Sequence, residues 1–76
     1  MTLFKFLVPD DRYYSIPGSS VSARGCVAVV VAEDEAEARR VVEDASALAG
    51  KDARWLAVAI VSEIPLDKPR LVAVAF

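Results

Sequence analysis

The best candidates for ligand chemistry are two arginines and two tyrosines in one polar stretch, Arg12-Tyr13-Tyr14 and, further on, Arg24. Guanidiniums clamp a carboxylate or phosphate through paired N–H donors, and phenols stack on planar rings. The same four side chains would serve equally well as the packing and surface of a lid, or as an interface rim. Other chemistry is thinly supplied. The chain has no histidine, which removes the usual general base and the commonest metal ligand. Its one cysteine, Cys26, lacks a His neighbour to complete a zinc site or an activated nucleophile. At the start of an apolar run it reads as a small buried hydrophobe. No catalytic residue, metal site or cofactor is expected.

Two further patterns have structural explanations. Glu33, Asp34, Glu35 and Glu37 could attract a cation or a basic partner, yet each is accounted for as an acid at a helix start. The same acids would repel an anion there, and Gly18 and Gly25 are too far apart for a phosphate loop. Glu63 would be a half-buried acid if its side of the sheet were closed, and a solvated strand-end acid otherwise.

These residues must be positioned by a small fold. The 76 residues make one domain, residues 1–76, which would bury only about 60 to 65% of the surface its unfolded form exposes. Oligomerisation is a usual remedy for so small a core. A net charge of -2, with nine scattered Lys and Arg, gives no footprint for nucleic acid. No run approaches the roughly 20 apolar residues of a membrane-spanning helix. The opening Met1 to Val8 has no basic leader and is followed at once by Pro9-Asp10-Asp11, so it reads as a strand rather than a secretory segment. A lone cysteine gives no sign of an oxidising compartment, and the cytoplasm is the expected location.

Four stretches are apolar on both alternating faces: Leu3 to Val8, Cys26 to Ala32, Trp55 to Ile64 and Leu71 to Phe76. Strands covered on both sides read this way. Tyr13 to Ile16 is a candidate short strand, with Pro17 to Ser20 as its turn. Between Glu33 and Gly50 the period changes to 3.6, with Ala38, Val41, Val42, Ala45, Leu48 and Ala49 on one stripe. Asp34 and Glu37 have capping-box spacing, and Gly50 stands where the helix should end. The pattern predicts an α+β fold in the order β-[β]-β-α-β-β: one mixed sheet of three to five strands, a single helix on one face, and a parallel crossover from Cys26–Ala32 to Trp55–Ile64.

One helix covers one face, so the other needs a cover. Trp55, Ala57, Ala59, Val61, Ala73 and Ala75 are the candidate interface residues, because small side chains suit close approach by another sheet. The 9–25 segment, through Tyr13, Tyr14, Ile16 and Val21, is the competing cover, and a different protein is a third. The functional expectation is a non-catalytic interaction or regulatory protein that forms a homo-oligomer, most simply a dimer, through its sheet. The alternative is an enzyme or small-molecule-binding protein whose pocket forms between subunits, lined by Arg12, Tyr13, Tyr14, Arg24 and Glu63.

Overall fold

The computed structural model describes residues 1–67. Strand β1 (Thr2–Val8) is the middle strand of a three-stranded sheet, flanked by β4 (Cys26–Ala32) and β5 (Ile60–Pro65). Both pairings are antiparallel, with Lys5 opposite Val29 on one side and Ser62 on the other. The expected mixed sheet is thus corrected to an antiparallel one. β4 and β5 do run parallel to each other, as a strand-helix-strand unit requires, but β1 occupies the slot between them and satisfies both inner edges. A short hairpin, β2 (Tyr14–Ser15) with β3 (Ser22–Ala23), makes a second sheet. Its turn is closed by Ile16 N–H to Val21 C=O at 3.1 Å and Ser19 N–H to Ile16 C=O at 3.2 Å.

Helix α1 (Glu35–Leu48) begins where its sequence says it should. The Asp34 carboxylate accepts the Glu37 N–H at 2.8 Å, and the Glu37 carboxylate accepts the Glu33 N–H at 3.0 Å. At the other end Lys51 N–H reaches Ser46 C=O and Gly50 N–H reaches Ala47 C=O, a Schellman closure. It places Gly50 at φ 68°, a conformation that a Cβ would disfavour.

The expected strand Trp55 to Ile64 is shorter than its apolar run. Arg54–Val58 forms a 3-10 helix, and the strand starts only at Ile60. Leu56 is thereby turned into the core, where its side chain is buried. The last expected strand, 71–76, lies outside the described residues.

The core has two parts. Phe4, Phe6, Ala32, Ala38, Val42 and Leu56 cluster between the sheet and α1. Val8, Ile16 and Ala23 cluster at the end of the sheet, under the hairpin. Phe4, Phe6 and Val8 share one face of β1 by the strand's period of two, so the hairpin and the helix cover the same face. The 9–25 segment extends the helix layer and leaves the opposite face alone.

Candidate functional site

Arg12, Tyr13, Tyr14 and Arg24 are placed by the hairpin, but they do not converge. Arg12 stacks on the Tyr14 ring at 4.7 Å, and Arg24 on the Tyr13 ring at 4.9 Å. Tyr14 O–H donates to Asp11 Oδ1 at 2.7 Å. The contact with the Tyr14 side chain holds the Arg12 guanidinium above its ordinary pKa. Each cation therefore already has an aromatic partner within the chain. Tyr13 and Arg24 line a shallow cavity of about 290 Å³ with Ile16, Val21, Asp52 and Trp55, whereas Arg12 and Tyr14 do not. Asp52 is engaged too: Arg54 donates to it from its backbone N–H at 2.8 Å and its Nε–H at 2.7 Å, and holds the carboxyl below its usual range.

The expected interface residues are separated. Trp55 and Ala57 lie in the 3-10 helix. Trp55 and Ala59 pack against both core clusters, and Val61 packs against the helix-side one. Val61 faces the helix because it pairs with Phe6. Ala73 and Ala75 lie outside the described residues. The alanines of β4, Ala28 and Ala32, also face the helix, where small side chains let α1 come close. Glu63, opposite Phe4, is exposed. Cys26 is half-buried, its thiol donating to Arg24 C=O at 3.7 Å.

The sheet's other face presents three cross-strand rows: Val31, Leu3 and Ile64; Val29, Lys5 and Ser62; Val27, Leu7 and Ile60. Seven of these nine residues are apolar, and Val27, Val29 and Ile60 keep 59%, 58% and 56% of their surface exposed. At about 3.3 Å per residue and 4.8 Å between strands, the face covers roughly 330 Å². Its composition was visible in the chain as alternation within β4: Cys26, Ala28, Val30 and Ala32 on one side, and the uniformly branched Val27, Val29 and Val31 on the other. The apolar surface continues round β4. A groove of about 430 Å³ along that strand is lined by Val27, Val29, Val41, Ala45 and Ala49, among others. Only Ala38 and Val42 of the helix stripe are buried, and Val41 and Leu48 are exposed; α1 packs on β4, which is an edge strand among the described residues.

Among the described residues no group of three or more His, Cys, Asp and Glu is placed to hold a metal ion, and no helix is long and apolar enough to cross a membrane. Comparison with protein-family models, curated proteins and solved structures finds no match to this chain.

Proposed function

We propose that this is a small non-catalytic interaction protein, an adaptor or a regulator, that forms a homo-oligomer through its sheet. The observation that supports this reading is the row of half-exposed valines, Val27, Val29 and Val31, on a face whose other apolar members are Leu3, Leu7, Ile60 and Ile64. Scattered exposed hydrophobes are ordinary in soluble domains, whereas a contiguous set continuing onto a helix flank suits association. The test is molar mass by light scattering on a sizing column over a hundredfold range of concentration. A mass of twice or more the 8.2 kDa chain is the expected result. A monomer throughout refutes the proposal.

The second reading, a small-molecule-binding protein, is favoured by one observation: Tyr13 and Arg24 border a cavity that Ile16, Val21 and Trp55 also line. A ligand at 100 times its dissociation constant would stabilise the fold by about 2.7 kcal/mol. A thermal-shift screen against metabolites that carry a carboxylate or phosphate on a ring tests it, and a flat response across the panel counts against it.

A further inference from the structure

We infer that the outer edge of β4 is a docking groove for residues 71–76 of the same chain, which add to it as an antiparallel strand. This does not depend on self-association. The starting point is the position of α1, which packs on β4 although β4 is an edge strand among the described residues. A helix seated over an edge strand covers the sheet with one flank and overhangs it with the other.

The overhang is apolar. Val41, Ala45 and Ala49 of α1 line the groove of about 430 Å³ beside Val27, Val29 and Val30 of β4, and Val41 is 45% exposed. Open strand edges are templates for another strand. A helix with its side chains is about 10 to 12 Å across and neighbouring strands are about 4.8 Å apart, so one added strand fits beneath the outer flank. A second copy does not fit. Pairing β4 with β4 of another copy would bring two helix axes to about 4.8 Å, well inside the roughly 8 to 10 Å of packed helices.

Reach, pattern and charge name residues 71–76 as the occupant. Pro65, Thr2 and Ala32 lie in one row, so β5 finishes at the end of the sheet where β4 also finishes. Leu66 N–H donates to Met1 C=O at 3.1 Å, which keeps the chain at that end. From β5 to a slot outside β4 is three strand spacings, about 14 Å, and the five steps from Leu66 to Leu71 span up to about 17 Å. A strand that enters there runs back along β4, and its six residues match Val27 to Ala32.

In that register Leu71 stands opposite Ala32, and Phe76 opposite Val27. Directly opposed residues share a face. Ala73 and Ala75 then come under the helix beside Val30 and Ala28, where small side chains allow close approach. Val72, Val74 and Phe76 extend the row of Val31, Val29 and Val27, so the open face of the sheet stays open and gains a strand. The crossing carries Lys68 and Arg70 past the end of the sheet where Glu33, Asp34, Glu35 and Glu37 start the helix. The competing slot is the outer edge of β5, reached by a hairpin. β5 offers Ser62, Glu63 and Pro65 there, whereas all seven residues of β4 are apolar and α1 roofs them.

The experiment uses the full chain in a Cys26→Ser background, with Val74→Cys combined with either Val29→Cys or Ser62→Cys. In the inferred register residues 29 and 74 face each other with Cα atoms about 4.5 to 5.5 Å apart, within disulfide reach. A hairpin over 66–70 would instead set residue 62 opposite residue 74. On mild oxidation of dilute protein the 29/74 pair should close within one chain, read as monomer mass without free thiols, and the 62/74 pair should stay reduced. Closure of 62/74 alone would move the segment to β5 and overturn the inference. Closure of 29/74 only between chains would overturn docking in the same chain, and closure of neither pair would overturn docking altogether. Val74→Pro, which removes a ladder donor, should speed hydrogen exchange of the outward amides of β4 at least tenfold while the amides shared with β1 keep their protection. Unchanged exchange along β4 would overturn the inference as well.

Discussion

Arg39 is the side chain whose removal should cost more than its surface position suggests. Its Nε–H donates to Glu35 Oε2 at 2.9 Å, a one-turn helix pair of the kind worth about 0.3 to 0.5 kcal/mol. Its Nη1–H also donates to the Leu56 C=O at 3.0 Å, tying α1 to the 3-10 helix, and its guanidinium lies over Phe6. A hydrogen bond from a charged donor contributes about 1.5 to 3 kcal/mol, and a cation–π contact about 0.5 to 1 at exposed sites. The side chain is 32% exposed, so solvent screening puts each contribution at its lower end. Arg39→Ala should then destabilise by about 2 to 3 kcal/mol, set against the roughly 4 to 11 kcal/mol expected for a chain this size. Glu35→Gln, which breaks only the helix pair, should cost no more than about 0.5 kcal/mol. Urea unfolding followed by Trp55 fluorescence and circular dichroism measures both. With a slope near 1 kcal/mol per molar, the Arg39→Ala midpoint should fall by about 2 M. Equal losses in the two variants would show that the Leu56 and Phe6 contacts contribute nothing beyond the ion pair.

Asp34→Ala should cost about 1 kcal/mol through loss of the 2.8 Å cap, and an unchanged melting temperature would place the helix start elsewhere. Gly50→Ala should cost about 1 to 2 kcal/mol from backbone conformation alone, since a Cβ there meets nothing within 4 Å. Gly25→Ala, also at positive φ, should cost more, because its Cβ would stand 3.1 Å from Asp10 Cβ; thermal melts that rank the two the other way would contradict this. Asp52 should titrate below the ordinary value of about 3.9, as its lowered pKa implies, so the stability it supplies is complete above that value and is lost as pH falls through the lower folded pKa. Carbon NMR of the carboxyl would test this, and Arg54→Gln should return the midpoint to the ordinary value.

The parts of the fold fixed by local chemistry were legible in the chain. Capping residues announce α1 at Asp34 and Gly50, and strict alternation puts Phe4, Phe6 and Val8 on one face of β1. What the sequence hid depends on contacts between distant residues. The Trp55 to Ile64 run is apolar at nearly every position, so its pattern suits a strand and a tight helix alike. The choice is made by Leu56 reaching the core and by Arg39 holding its carbonyl. Sheet order was hidden as well, since nothing local says that β1 inserts between β4 and β5. The candidate site shows the same division. The Arg12, Tyr13, Tyr14 and Arg24 cluster was visible as residue types, but its split into two separate stacked pairs follows from the hairpin. The valine row was visible as alternation, whereas the position of Lys5 at its centre depends on the register of all three strands.

The insertion of the first strand between two later ones also governs how the chain is built. Thr2 finds Ala32 on one side and Pro65 on the other, so the second partner of β1 is made 33 residues after the first is complete. At about 5 to 20 residues per second of synthesis, that interval lasts roughly 2 to 7 s. During it, β4 is the one sheet partner available to β1, and a two-stranded pair alone is marginally stable in water. Closing the sheet then joins segments nearly the whole described chain apart, which belongs with the slower, non-local kind of folding. For those seconds the nascent chain presents its most template-like edge, and any chaperone that engages it should bind the β1 side.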